Sequence, residues 1–126
     1  MRGITSLSIN AMTEGLNRLD SSILRSALRG RRIIWRRHAL ERMLERGIDR
    51  ADVKKVVFAD EQIECYPDAF PFPSALFVGN VHSRVLHVVA ALDERGKGEV
   101  HVISAYEPDA DHFESDMRTR KRRPKR

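Results

Sequence analysis

The sequence predicts an α+β domain, with N-terminal helices packed on a four-stranded antiparallel sheet. Three observations carry that expectation. Apolar residues recur at helical spacing through residues 13–59, and the period changes to two from residue 61 onward. No apolar run approaches the ~18–20 residues of a membrane span, so the core must come from half-buried elements.

In "TEGLNRLDSSILRSALR" (13–29), Leu16, Leu19, Ile23, Ala27 and Leu28 keep helical spacing and Gly30 is a stop. This is one helix, or two short ones broken near Asp20-Ser21-Ser22, where the polar side chains suit an N-cap. "RIIW" (32–35) is a short apolar run and a strand candidate. "RRHALERMLERG" (36–47) is helical and closes on Gly47. Asp49 is a good N-cap for the next helix, whose Val53, Val56 and Val57 face one way. "EQIECY", "SALFVGNV", "RVLHVVAAL" and "EVHVISAY" read as four strands, the last two joined by the hairpin signal "DERGKG". "VLHVVAAL" is apolar on both faces, as a central strand is, and only His87 interrupts it. The organisation expected is a leading helical segment at 1–30, an α+β domain at 31–116 and a basic tail at 117–126.

Charge is divided unevenly. The net charge is +5, but residues 117–126 hold seven Lys/Arg and no acid, leaving 16 basic against 18 acidic residues elsewhere. Residues 25–50 carry nine arginines against Glu41, Glu45 and Asp49; residues 93–116 carry eight acids against Arg95 and Lys97. A polarised body with a basic tail suits a polyanionic partner. The tail can alternatively fold back on the acidic 93–116 segment. The start of the sequence lacks a basic-then-apolar secretory pattern, so the expected compartment is the cytoplasm, with no membrane association.

Catalytic motifs of the common kinds are missing: no GxSxG, no P-loop and no GxGxxG occurs. The one cysteine, Cys65, cannot form a disulfide within the chain, and the five histidines show no zinc spacing. No metal and no cofactor are expected. What remains is His and Arg near a small sheet bearing Ser104 and Tyr106. His38, Arg42 and Arg46 fall four apart, which sets an imidazole and two guanidiniums in a drifting stripe on one helix face. Such a stripe suits either a solvated face, paired by Glu41 and Glu45, or a phosphate site. RNA cleavage without metal needs a base for the 2′-hydroxyl, an acid for the leaving 5′-oxygen and fixed positive charge for the transition state. His and Arg supply these.

"HALERMLERGI" (38–48), "LHVV" (86–89) and "ISAYEPD" (103–109) carry a resemblance. They resemble the recurring H-A-x-x-R-M-x-x-R-G-I, L-H-V-V and I-[ST]-x-Y-x-P-D segments of a widespread bacterial family of small uncharacterised domains, over roughly residues 32–120. That family in turn resembles the RelE and BrnT toxins of toxin–antitoxin pairs. The resemblance implies a metal-independent endoribonuclease acting on messenger RNA, on or off the ribosome, and held inactive by a zinc-finger or helix-turn-helix antitoxin. For such an enzyme the residues expected to act are His38 as general acid or base, Arg42 and Arg46 as phosphate clamps, and His87, Ser104 and Tyr106 as supporting sheet residues. Arg36, Arg37, Arg118, Arg120, Lys121, Arg122 and Arg123 are the expected RNA-binding residues. The alternative is a non-enzymatic RNA- or protein-binding module that pairs with a regulator.

Overall fold

The computed structural model describes residues 18–121. Asp20 caps the first helix, α1 (Ser21–Arg29), by accepting the Ile23 N–H at 2.9 Å. β1 (Ile33–Trp35) follows, then α2 (Arg37–Arg46) and α3 (Arg50–Ala59). Gly47 ends α2 at φ +66°, in the left-handed conformation that glycine adopts without steric cost. β2 (Gln62–Tyr66), β3 (Ser74–Val81), β4 (Arg84–Asp93) and β5 (Glu99–Tyr106) complete the elements. No helix among the described residues is long and apolar enough to cross a membrane.

The expected four-stranded antiparallel sheet needs correction: the sheet has five strands and is mixed, in the order β1-β5-β4-β3-β2. β2 to β5 form the antiparallel meander read from the sequence. The additional strand is the 32–35 run, which pairs parallel to β5 with Ile33 opposite Val100 and Trp35 opposite Val102. Three residues are too few to show an alternation, and a parallel partner far along the chain leaves no local turn signal.

The three helices cover one sheet face. Leu24 and Ala27 of α1, Ala39 and Met43 of α2, and Val53, Val56 and Val57 of α3 pack on Phe77, Leu86, Val88, Leu92, Val100 and Val102. Burying each Val, Leu or Phe of this layer contributes roughly 1.5–3 kcal/mol. α1 belongs to this core, because Leu24 and Ala27 are fully buried.

The second face is covered differently. Leu76, Val78, His87 and Ala91 are buried there too, and His87 lies beneath a strap that runs from His112 to Lys121. Paired backbone bonds close the strap: Glu114 N–H to Thr119 O and Lys121 N–H to His112 O, both 2.8 Å, around a Phe113–Arg120 bridge. Phe113 is its buried anchor.

Two β-bulges decide which side chains reach this second face. In β5 the register steps from Ala90–Val102 to Val89–Ser104, so Ile103 is an extra residue. Val100 and Val102 face the helices; without the bulge Ser104 and Tyr106 would follow them into that core. With it, Ala105 enters the core while Ser104 and Tyr106 turn to the strap side, Tyr106 directly opposite His87. A similar shift at Ile63 in β2 sets Glu64 opposite Leu76 and Tyr66 opposite Ser74, also on the strap side.

Candidate functional site

The bulges assemble a titratable cluster on the second face. His87 is completely buried, and its Nε2 lies 2.6 Å from the Met117 carbonyl. A carbonyl only accepts, so Nε2 carries the proton and donates, and Nδ1 is left bare, with no hydrogen-bond partner among the described residues. Met117 sits at φ +58°, a left-handed conformation rare for methionine. Phe113 meets the imidazole edge-on at 4.5 Å, and the Tyr106 ring lies 5.5 Å away. Burial pushes the His87 pKa down, partly offset by the bond to Met117 and the charge of Glu64.

Glu64 receives two guanidinium bonds from Arg120, at 2.8 and 3.0 Å, and the Tyr66 hydroxyl. The Arg120 bond above all holds its carboxyl below the usual range. Partial burial and the bond to Glu64 push the Tyr66 phenol up to about 12. Half-buried Tyr106 is raised as well, chiefly by desolvation, with Arg120 and Arg46 pulling the other way. Perturbed groups gathered this closely mark functional sites more often than chance.

Beyond Tyr106 the cluster opens to solvent. Arg46, Tyr106, Glu107 and Asp109 line an open pocket of about 520 Å³. Arg46 ends α2 and anchors there by donating to the Ala105 carbonyl at 2.8 Å. Both carboxylates are engaged: Glu107 by Arg84 at 2.8 Å, and Asp109 by His112. One Asp109 oxygen accepts the His112 backbone N–H at 2.9 Å and meets Nδ1 at 2.8 Å. The His112 side-chain bond holds the Asp109 carboxyl below its usual range. With Nδ1 so occupied, Nε2 of the exposed imidazole has no partner among the described residues.

The expected site residues therefore divide. Arg46, His87, Ser104, Tyr106 and Arg120 belong to one sheet face and its rim. His38 and Arg42 do not line the pocket. They lie on the exposed side of α2, in the layer that covers the other face, and Arg42 pairs with Glu45 at 3.1 Å. Arg37 pairs with Glu41 at 3.4 Å, and Arg36 is the N-terminal flank of α2. Arg118 is committed to Glu61 through bonds of 2.5 and 3.1 Å, and Lys121 closes the strap through its backbone. Arg122 and Arg123 lie outside the described residues. Asp93, Glu99 and His101 gather ligand atoms within 4.8 Å of one another, but Asp93 spends both oxygens on Arg95 at 2.9 Å.

Sequence reading missed Glu64, Tyr66, Asp109 and His112. The two-residue spacing in "ECY" was a usable signal, since it puts Glu64 and Tyr66 on one face of any strand.

Compared with known proteins, no curated protein and no solved structure matches the chain. A family model described as a domain of unknown function, DUF4258, matches residues 35–107, from the last residue of β1 to the residue after β5. That span includes α2, α3, the four-stranded meander, Arg46 and Tyr106, and excludes α1 and the strap. The match covers more than half of the sequence, and the chain belongs to the DUF4258 family.

Proposed function

We propose that the protein is a metal-independent endoribonuclease of the RelE/BrnT toxin kind, working in the pocket at the end of β5. The observation that carries this reading is the shared pocket of Arg46, Tyr106 and Asp109, with His112 held on Asp109 at its edge. Arg46 is a permanent cation with free donors for a phosphate. The 2′-oxygen attacks phosphorus as His112 Nε2 takes its proton; the bond from phosphorus to the 5′-oxygen breaks, and that oxygen receives a proton from Tyr106. The products are a 2′,3′-cyclic phosphate and a 5′-hydroxyl. Desolvation favours the protonated phenol that this role needs. His87 backs the Tyr106 ring from the strap side. Arg42 and His38 extend the basic stripe from Arg46 along α2 and serve as a track for the RNA backbone.

The test is incubation of the purified protein with RNA in EDTA, alone and with ribosomes. Arg46→Ala, Tyr106→Phe and His112→Ala are each expected to slow cleavage by about 10²-fold, the usual effect of removing a proton carrier or charge donor. His38→Ala is expected to weaken binding with little change in the cleavage step. If His38→Ala alone abolishes cleavage, the chemistry belongs to the helix stripe.

One observation favours a non-enzymatic module that binds RNA or pairs with a regulator. The Asp109 oxygen that meets the imidazole also accepts the His112 backbone N–H, as a turn closure does. That reading predicts salt-sensitive RNA retention without product, and no growth arrest on expression in a bacterial host.

A further inference from the structure

On the helix layer, away from the pocket, α1 and α3 leave an open groove of about 450 Å³. Its floor is apolar, formed by Leu28 of α1 and Ala51, Phe58 and Ala59 of α3. Phe58 is 36% exposed, unusual for a phenylalanine on a helix packed against a core. Cations stand on both banks: Arg25 and Arg29 on α1, Lys54 and Lys55 on α3. None of the four has a carboxylate within ion-pair distance among the described residues. Elsewhere on the surface most arginines are paired: Arg18, Arg37, Arg42, Arg84, Arg95, Arg118 and Arg120 all have acidic partners. Asp52, the acid on α3, is buried beside His82 and does not serve the groove.

We infer that this groove is a docking surface for an acidic amphipathic helix of a partner protein. Two helices flanking an apolar floor accept a third helix through large side chains at i, i+3 and i+4. Carboxylates flanking those anchors meet four cations that have no acidic partner among the described residues, Arg25 donating besides to the Phe58 carbonyl at 2.9 Å, which gives both orientation and rapid association. The charge complementarity selects an acidic occupant, and the apolar floor selects one with an apolar face. A nucleic acid uses the cations but gains little from aliphatic Leu28, Ala51 and Ala59. This surface is independent of the pocket chemistry and holds whether or not the protein cleaves RNA.

The test uses the full chain and a short synthetic peptide with leucines on one helical face and glutamates on the other. Controls are the same composition in scrambled order, oligouridylate, and vesicles of anionic phospholipid. Amide shifts in a heteronuclear NMR titration are expected to cluster on α1 and α3 around Leu28, Ala51 and Phe58, with the scrambled peptide at least about tenfold weaker. Ala51→Glu and the double variant Lys54→Glu/Lys55→Glu are each expected to weaken the peptide about tenfold or more. All three positions are exposed, so circular dichroism and the melting temperature should hold. The inference is overturned if the scrambled peptide binds as well as the ordered one, or if the shifts fall elsewhere. It is equally overturned if oligouridylate or the vesicles, and not the peptide, occupy the groove residues.

Discussion

Arg120 grips Glu64 through two parallel hydrogen bonds, 2.8 Å from Nε and 3.0 Å from a terminal nitrogen, across 56 residues of chain. The same guanidinium stands 4.8 Å over the Phe113 ring. One arginine thus ties the strap to the β2 edge while stacking on the strap's own apolar anchor. Arg118 repeats the arrangement one pitch away on Glu61. The strap covers His87 by ionic bonds at its margins and by Phe113 at its centre, and ionic bonds at a surface respond to pH and salt.

The first consequence concerns acid. Arg118 and Arg120 lower the carboxyl pKa of Glu61 and Glu64 below the ordinary 4.5. A depressed carboxylate contributes stability that is complete above its unfolded value and is lost as pH falls through the folded one. Urea midpoints should therefore hold from neutral pH to about pH 4.5 on account of these groups and fall below it. The variant Glu61→Gln/Glu64→Gln should start lower at neutral pH and show a shallower fall. An equal fall in both proteins would mean that the strap is not held by these pairs.

His87 acts in a higher window with the same sign. Its folded pKa lies below the ordinary 6.5 because the buried imidazole resists charging. The unfolded chain then takes up a proton first as pH falls below 6.5, so stability is lost from there down to the folded pKa. His87→Phe keeps an aromatic ring against Phe113 and cannot titrate. Stability measured in steps below pH 6.5 should decline in the natural protein and stay flatter in the variant. Parallel curves would show that His87 is solvated in solution.

Packing makes its own prediction at two glycines. A Cβ at Gly79 would lie 3.0 Å from a Val56 methyl and 3.5 Å from the Val56 Cα, where α3 crosses β3. Overpacking of this kind typically costs about 1–3 kcal/mol. Gly98 combines φ +92° with a Cβ position 2.4 Å from an Ile23 methyl, so a side chain there is strained by the backbone and blocked by α1. Gly79→Ala and Gly98→Ala should each lower the denaturant midpoint without changing the slope, and trimming Ile23 should relieve only the steric part of the Gly98→Ala loss, leaving the backbone strain. Wild-type midpoints would contradict the close approach of α1 and α3 to the sheet.

Much of the fold was legible in the sequence because its signals are local. Helical spacing from Leu24 to Val57, the Gly47 stop and the alternation in β2 to β5 need only neighbours in the chain. The 32–35 run was legible as a strand candidate, but its place as the fifth, parallel strand was not, since Ile33 to Trp35 pair with Val100 to Val102 far along the chain. The site was harder for a sharper reason. Strict alternation from Val100 and Val102 would send Ser104 and Tyr106 into the helix-side core, and only the bulge at Ile103 reverses them. A bulge has no dependable signature in one sequence. Helical spacing did collect His38, Arg42 and Arg46 on one stripe, but it could not tell that Arg46 alone reaches the β5 backbone and Tyr106. Nor did the basic run at the end of the sequence reveal that Arg118 and Arg120 have acidic partners on β2 and its approach.

Those partners change what removal of residues 117–126 should do. A purely solvated tail would leave stability untouched, because no apolar core goes with it. Here the deletion takes the Met117 carbonyl from His87 and the Arg118 and Arg120 pairs from Glu61 and Glu64. Each exposed ion pair is worth up to about 1 kcal/mol, and stranding the buried Nε2–H costs about 1–3 kcal/mol. The deletion should therefore lower the melting temperature by roughly 4–20 °C, at about 4 °C per kcal/mol for a domain of this size. Phe113 loses the bridge to Arg120 and its cation, so amides from His112 to Asp116 should exchange faster with solvent. Single-stranded RNA should bind more weakly, with a salt slope shallower by about 0.7 for each phosphate contact removed. The double variant Arg118→Gln/Arg120→Gln separates the two effects. It should account for only the ion-pair share of the lost stability, because Met117 still caps His87. An unchanged melting temperature in the deletion would mean that the strap does not cover His87 in solution. Tighter RNA binding after deletion would mean that the tail shields the protein's own site rather than contacting RNA.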